Sequence, residues 1–268
     1  MPQPRCIVLR APGTNCDGES VFAFERAGAK VELVHIQRLL EQPKLLDDFQ
    51  ILCLPGGFSY GDDIASGRIL GNQIYHHLGD QMRAFRAAGK LLLGICNGFQ
   101  VMIKCGLLLN DDPAAGPPAT LDWNRSGKFE DRWIHLNTTS PRCVFLRSIE
   151  SMYLPVAHGE GRFVSRSLAV LDELAQREQI ALRYTASPGE QNWSFSASAD
   201  PQVAYPANPN GSASDVAGVC DTTGLALGLM PHPERHIDRT HHPRWTRGEG
   251  RDPGDGLRLF QNAVEYFG

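Results

Sequence analysis

The chain has 268 residues, of which 42% are hydrophobic and 21% are charged. A globular chain of this size and composition can bury a core without disulfides or metal ions. Its 26 basic and 30 acidic side chains give a formal net charge of −4. This balance argues against a general nucleic-acid binder, because a surface that follows phosphates normally carries a basic excess.

The sequence predicts a cytoplasmic chain that does not enter a membrane. No apolar run approaches the roughly 18 residues of a spanning helix, and the first residues lack the long apolar core of a secretion signal. The seven cysteines are odd in number, widely spaced and without a CxxC pair. This pattern favours a reducing compartment over a disulfide framework and leaves a cysteine free to act as a thiolate.

The first half of the chain predicts alternating strands and helices. Apolar runs predict strands at 6–9, 31–36, 51–54 and 91–95, and periodic segments predict helices at 17–28 and 98–104. Buried strands separated by helices are typical of a parallel sheet covered on both faces. The predicted fold class is therefore α/β, with a mostly parallel central sheet and helices on both faces. Ligands of such sheets bind beyond the carboxyl ends of the strands.

The second half is more mixed. Short apolar runs predict extra strands at 133–136 and 180–184, a last core strand at 225–230 and an amphipathic helix at 257–267. Segments rich in small, charged or turn-forming residues predict loops at 110–120, 187–199 and 239–254. No repeat or clear linker divides the chain, so residues 1–268 are predicted to form a single domain.

Gly94-Ile95-Cys96-Asn97-Gly98 joins a predicted strand to a predicted helix. Its spacing is the G-x-[S/C]-x-G of a nucleophile elbow, in which a sharp turn exposes the nucleophile beyond the strand end. The positive end of the helix dipole favours the thiolate there. The alternative is an inert buried thiol, the usual fate of a cysteine. The strand-to-helix context favours Cys96 as the nucleophile, while the role of Cys16, in a loop, stays open.

His232 follows the last predicted strand, so a parallel sheet would place it at the same edge as Cys96. Pro233 favours an extended conformation for His232. Glu234 would then point to the same side and could fix the imidazole tautomer, as the third member of a triad does. The alternative is a surface turn without a role.

Pro55-Gly56-Gly57 ends a third strand at this edge. Glycines let the backbone approach a ligand closely, so Gly56 is a candidate for binding the substrate. The backbone amides of Gly57 and Asn97 are candidates for an oxyanion hole. A plain turn is the alternative for this tripeptide.

These residues carry a family resemblance. The stretches that match are APGTNCD, LPGGFSYGD, GICNGFQVM, NRSGKFEDRW, PVAHGEGRF, NPNGSASDVAGV and GLMPHPER. The chain resembles the class I, or triad, glutamine amidotransferases, through GICNGFQ and MPHPER. The FSYGD, AHGEGRF and NPNGS pieces are similar to the glutaminase subunits of phosphoribosylformylglycinamidine synthase, an enzyme of purine biosynthesis.

The resemblance implies a flavodoxin-like sheet with extra strands and a division of labour. Cys96 would attack the side-chain amide of glutamine, His232 would move the protons, and Glu234 would orient His232. Gln100 matches a position that contacts glutamine. The ammonia would pass to a synthetase subunit, with a small accessory subunit as a further possible partner. ATP and magnesium would belong to that synthetase, so no cofactor is expected on this chain.

Other interpretations of the same residues remain. One is a thiol hydrolase or peptidase of similar topology that needs no partner. Another is a regulatory subunit whose triad is silent. The histidines at 232, 236, 241 and 242 lack metal-binding spacing, and Pro233 and Pro243 break any helix that would align them. No metal site is therefore expected.

Overall fold

A computed structural model describes residues 3–109, 116–189 and 195–268. The strands are β1 (Arg5–Arg10), β2 (Lys30–His35), β3 (Ile51–Leu54), β4 (Leu91–Ile95), β5 (Ala119–Asp122), β6 (Glu130–Thr138), β7 (Ser151–His158), β8 (Arg162–Ser165), β9 (Ile180–Thr185), β10 (Val216–Cys220) and β11 (Ala226–Leu229). The helices are α1 (Asp17–Ala27), α2 (Ile36–Glu41), α3 (Arg68–Ala87), α4 (Asn97–Lys104), α5 (Leu168–Gln176) and α6 (Leu257–Glu265). The predicted loops at 110–120 and 187–199 lie partly outside these described residues.

Nine of these strands form one sheet in the order β2-β1-β3-β4-β11-β10-β9-β6-β7. The pairs from β2 to β11 are parallel, and those from β11 to β7 are antiparallel. The prediction of an α/β fold with a parallel sheet and extra strands is confirmed. The extra strands are the antiparallel half, and β5 and β8 form a separate small antiparallel pair.

Helices α1 and α4 pack directly on this sheet, and α6 and α3 pack on those two helices. Helix α1 packs against α6, where the rings of Phe24 and Phe260 meet edge to face at 4.9 Å between centroids. Helix α4 packs on β3, β4 and β11, and α3 packs on α4. No helix in the described ranges is long and apolar enough to cross a membrane.

Helix α3 has no counterpart among the predicted elements. Its signal is nevertheless in the sequence, because its buried side chains recur every three or four residues: Leu70, Ile74, Leu78, Met82 and Phe85. That spacing is typical of one apolar helix face.

The carboxyl ends of β3, β4 and β11 meet at one edge of the sheet. Leu54 lies beside Gly94, and Leu229 lies beside Ile95. The segments that begin at Pro55, Cys96 and Met230 therefore leave the sheet together, and candidate site residues follow all three strands.

Glycine at position 98 permits this convergence. A Cβ atom on Gly98 would lie 1.8 Å from the carbonyl oxygen of Leu54. A Cβ atom on Gly94 would lie 2.5 Å from Met102 Sδ. The two elbow glycines are thus required by the close packing of α4 on β3 and β4.

We predict that Gly98→Ala lowers the free energy of unfolding by about 1–3 kcal/mol, the usual cost of overpacking a core. Gly18→Ala is the matched control, because Gly18 is also the second residue of a helix but a Cβ atom placed on it would have no neighbour within 4 Å. It should be neutral or stabilising by up to about 1 kcal/mol. Urea unfolding of both variants measures the difference, and equal stabilities would contradict the packing argument.

Candidate active site

Cys96 lies at the turn between β4 and α4 with φ 50° and ψ −105°. A residue other than glycine at such a positive φ costs roughly 1–3 kcal/mol, and this conformation persists only where surrounding contacts impose it. Here the Cys96 N–H donates to the Leu229 carbonyl at 2.8 Å, which ties the turn to the end of β11. The thiol therefore projects beyond the strand end, at the N-terminus of α4. The geometry is that of the predicted elbow.

His232 and Glu234 form a buried pair. His232 Nδ1 and Glu234 Oε1 are 2.6 Å apart, and each residue is 2% exposed. The His232 N–H donates to the Pro155 carbonyl at 2.9 Å, which fixes the segment against β7. The predicted extended path does not continue, because Pro233–Arg235 forms a short 3-10 turn. Glu234 reaches the imidazole from within that turn.

The environment of His232 favours its protonated form. Burial by itself lowers the pKa of this imidazole, but the Glu234 carboxylate and the neighbouring thiols of Cys96 and Cys16 outweigh it. The pKa of His232 is therefore raised well above its ordinary value. His232 Nε2 is buried without a hydrogen-bond partner of its own in the described chain. An imidazolium held in this way can donate a proton to a leaving amine.

Cys16, whose role the sequence left open, is a second thiol beside His232. It is buried, its thiol donates to Asn15 Oδ1 at 3.2 Å, and Arg235 Nη2 donates to its sulfur at 3.2 Å. Burial raises the pKa of Cys16, and the nearby His232 opposes that shift in part. The ligand atoms of Cys16, His232 and Glu234 lie within 4.8 Å of one another. Arg235 already supplies positive charge there, and the expected absence of a metal stays a prediction.

The two candidate glycines lie in different places. Gly57 lines the cavity in front of Cys96 and has φ 140°. Gly56 lies against Cys96 and His232. A Cβ atom placed on it would be 2.8 Å from His232 Cε1 and 3.5 Å from Cys96 Cβ. Gly56 thus lets the nucleophile and the base approach each other, and it is not among the residues that line the cavity.

The cavity in front of Cys96 has a volume of about 290 Å³. Gly57, Cys96 and Gln100 contribute to its wall, and large exposed aromatic side chains surround its mouth: Phe58, Trp123 and Phe129. Four larger cavities among the described residues, of about 340 to 710 Å³, lie away from Cys96 and contain none of the candidate residues. The chemistry of the lining, and not the size, identifies the site.

Asn97 and Gln100 fix this wall through their side chains. Asn97 Nδ2 donates to Gln100 Oε1 at 2.9 Å, and Gln100 Nε2 donates to the Glu160 carbonyl. Both ends of the Gln100 amide are thus bound to protein groups, although the side chain lies at the cavity. The Asn97 backbone N–H belongs to the first turn of α4, whose N–H groups have no partner inside the helix.

His158, at the end of β7, also lines the cavity. The amide nitrogen of Asn124 donates to the carbonyls of Lys128 and His158, so its Oδ1 faces His158 Nδ1 at 3.1 Å as an acceptor. Nδ1 must therefore carry the proton. Nε2 is left as a buried acceptor without a partner among the described residues. Burial, together with the charge of His232, lowers the pKa of His158 to about 3.

Comparisons with known proteins agree with this geometry. A family model described as a CobB/CobQ-like glutamine amidotransferase domain matches residues 3–267. The chain is 42% identical to phosphoribosylformylglycinamidine synthase subunit PurQ of Dehalococcoides mccartyi, over 99% of this chain and 98% of that one. It is 38% identical to the subunit of the same name of Methanococcus maripaludis, over 98% and 97%. The solved structure of PurLQS from Thermotoga maritima superposes with a TM-score of 0.73 at 29% identity, over the whole of both chains.

The low pKa of His158 predicts a pH-dependent contribution to stability. Its pKa is about 3 in the folded chain against an ordinary value of 6.5, so between these pH values the unfolded chain binds a proton that the folded chain does not. The free energy of unfolding therefore falls as pH is lowered through this window, by up to about 1.4 kcal/mol per unit for one proton. In His158→Gln, the free energy of unfolding should fall less steeply between pH 6.5 and pH 4, by up to about 1.4 kcal/mol per pH unit, because one proton fewer is taken up on unfolding.

Urea unfolding at several pH values measures this slope. His77→Gln, which removes an exposed histidine from α3, is the matched control. A His158→Gln slope equal to that of the wild type would show that His158 is not held neutral.

Proposed function

The chain belongs to the CobB/CobQ-like glutamine amidotransferase family, and we infer that it is the glutaminase subunit of a phosphoribosylformylglycinamidine synthase. The observation that carries this conclusion is Cys96, held at positive φ beside the buried His232–Glu234 pair, in a chain that matches a PurQ subunit along 99% of its length. The chain hydrolyses glutamine to glutamate and ammonia. A synthetase subunit uses that ammonia to make formylglycinamidine ribonucleotide in purine biosynthesis.

The first half-reaction forms a thioester. With the thiol proton of Cys96 held on His232, the Cys96 sulfur bonds to the side-chain carbonyl carbon of glutamine. The backbone amides of Gly57 and Asn97 donate to the oxygen that becomes negative. The intermediate then collapses, the carbon–nitrogen bond breaks, and His232 returns the proton to the departing ammonia. Glu234 holds the imidazole in the tautomer that this transfer needs.

Water completes the cycle. His232 takes a proton from water, and the water oxygen bonds to the thioester carbon. The carbon–sulfur bond then breaks, and His232 returns its proton to the sulfur, which gives glutamate and the free thiol. Gly56 contributes by letting His232 approach Cys96, and Gln100 by holding the wall against which the substrate lies.

The mouth of the cavity supports a partner that docks over it. Phe58, Trp123 and Phe129 expose 44%, 61% and 54% of their surface around this opening. Aromatic side chains clustered in this way are typical of protein interfaces. A synthetase that covers them would receive the ammonia before it reaches bulk water. ATP and magnesium act on that subunit, and a small accessory subunit completes the assembly.

Two further parts of the proposal concern the chain as a whole. We take residues 1–268 as one glutamine amidotransferase domain, which is supported by a single family model that matches 3–267. We place its action in the cytoplasm, which is supported by seven cysteines that are all free and buried.

We predict that Cys96→Ser abolishes glutamine-dependent formation of the amidine by the assembled synthase. Ammonia-dependent formation should survive, because the ammonia is consumed on the partner subunit. Both rates are measured on the complex purified with each variant. Loss of both activities in a complex that still assembles would refute the division of labour.

We predict unequal losses at the two other members of the triad. His232→Asn should slow the release of glutamate by about 10²–10⁴-fold, the usual contribution of a general acid or base. Glu234→Gln should cost less, because Glu234 acts through His232. Circular dichroism checks that both variants fold, and a folded His232→Asn protein with near wild-type release would remove His232 as the base.

A further inference from the structure

Arg235 is a cation that the steps above do not use, although it directly follows Glu234 in the same 3-10 turn. Glu234 Oε1 is bonded to His232, while its Oε2 is buried without a hydrogen-bond partner among the described residues. Pairs of a guanidinium group with a carboxylate are among the stronger hydrogen bonds of proteins. The separation of Arg235 from this carboxylate oxygen therefore needs a cause.

The guanidinium group of Arg235 is bonded to two other groups, both near the start of α1. Its Nε donates to Glu19 Oε2 at 3.2 Å, and its Nη2 donates to Cys16 Sγ at 3.2 Å. The Glu19 side chain is 44% exposed, so water weakens the outer contact. Cys16 is 1% exposed. The thiol is therefore the contact that holds the buried side of the guanidinium group.

Cys16 Sγ also adjoins the buried pair of the triad. Side-chain atoms of Cys16, His232 and Glu234 that can bind a proton lie within 4.8 Å of one another. The sulfur is thus next to the guanidinium group of Arg235 and next to the carboxylate of Glu234. A smaller side chain at this position would leave space that the long and flexible side chain of Arg235 could enter.

The backbone and the thiol of Cys16 are both fixed. Its N–H donates to the Gly56 carbonyl at 3.2 Å, and its thiol donates to Asn15 Oδ1 at 3.2 Å. The sulfur lone pairs are then available to accept from Arg235. Burial raises the pKa of this thiol, which favours its neutral form. A neutral sulfur accepts from Arg235 without competing with the Glu234 carboxylate for the charge of His232.

A guanidinium group that reached Glu234 would weaken the triad. It would share the carboxylate with His232, so the imidazolium would lose part of its counter-charge in a buried site, where such charges interact strongly. The protonated form of His232 both stabilises the Cys96 thiolate and donates to the departing ammonia. Either role would suffer, although no atom that touches the substrate had changed.

We propose that Cys16 is a positioning residue, whose sulfur holds the guanidinium group of Arg235 away from Glu234 and so reserves that carboxylate for His232. This inference rests on the proposed function. The second thiol of the site neither attacks the substrate nor transfers a proton. Its effect on the reaction is exerted through Arg235, and it is therefore lost when the guanidinium group is removed.

A double-mutant cycle on the assembled synthase tests this dependence. Cys16→Ala removes the sulfur that Arg235 contacts. It should lower the kcat for glutamate release about tenfold and leave the KM nearly unchanged, because the proton carrier is affected and the substrate contacts are not. In an Arg235→Gln background, the same substitution should lower kcat by less than about twofold relative to that background. No guanidinium group is then left to reach Glu234.

A conservative variant and the reactivity of the nucleophile separate positioning from packing. Cys16→Ser keeps an atom that accepts from Arg235, so its kcat should stay within about threefold of the wild type. Iodoacetamide should alkylate Cys96 more slowly in Cys16→Ala than in the wild type, as followed by peptide mass mapping, because less imidazolium is left to stabilise the thiolate. Adding Arg235→Gln to Cys16→Ala should restore most of the alkylation rate.

Cys6→Ala is the matched control for the loss of a buried thiol. Cys6 is 0% exposed and lies near the amino end of β1. Its partners in the sheet are at the starts of β3 and β4, so it is at the edge opposite to Cys96. This substitution should leave kcat, KM and the alkylation of Cys96 unchanged. Circular dichroism checks that every variant is folded.

An equal loss of kcat from Cys16→Ala in both backgrounds would overturn the inference, because the sulfur would then only fill space. A loss in Cys16→Ser as large as that in Cys16→Ala would also overturn it, since an acceptor for Arg235 would have made no difference. A wild-type complex that does not hydrolyse glutamine at all would instead overturn the proposed function.

Discussion

Glycine at positions 56, 94 and 98 lets three backbone segments come closer than side chains would permit. The carbonyl of Leu54 occupies the place where a Cβ of Gly98 would be, and His232 Cε1 lies 2.8 Å from the place of a Cβ on Gly56. Because of this contact, the ends of β3, β4 and β11 converge on one point. The strained turn at Cys96 persists because its neighbours on both sides are fixed, and every proposed step of the chemistry depends on that convergence.

Burial alone does not decide the charge of a histidine in this site. His158 and His232 are 3% and 2% exposed, yet the pKa of the first is lowered and that of the second is raised. The difference lies in their partners. A neutral amide, Asn124, accepts from His158, whereas the carboxylate of Glu234 accepts from His232. An unpaired buried charge is costly and a paired one is stabilised, so adjacent imidazoles take opposite roles, one as acceptor and one as proton carrier.

The two halves of the sheet contribute different parts of the site. The parallel half supplies the nucleophile and the base, since both follow parallel strands at their carboxyl ends. The antiparallel half supplies the opposite wall, because β7 runs antiparallel to β6 and ends at His158, just before Glu160. The Cys96 thiol lies 3.8 Å from the Ala157 carbonyl across this junction. The parallel half thus supplies the reactive groups, and the antiparallel half supplies the opposite wall of the cavity that receives the substrate.

The sequence by itself determined the parts that depend on neighbouring residues. The elbow is contained in 94–98, the pair of His232 and Glu234 is separated by one residue, and the apolar runs indicate the buried strands of the parallel half. Local sterics and strand geometry are sufficient for these predictions. Even here one detail was wrong, since the segment after His232 turns tightly and is not extended.

Only the tertiary structure decided which distant residues complete the site. Cys16 contacts Arg235 from 219 positions away, and Ser66 binds Glu160 from 94 positions away. No local pattern encodes such contacts, because they depend on the strand order of the sheet and on the close approach of its loops. The same holds for the opposite charge states of His158 and His232. A pKa is set by the groups that folding brings to a side chain, and the identity of the side chain alone does not supply them.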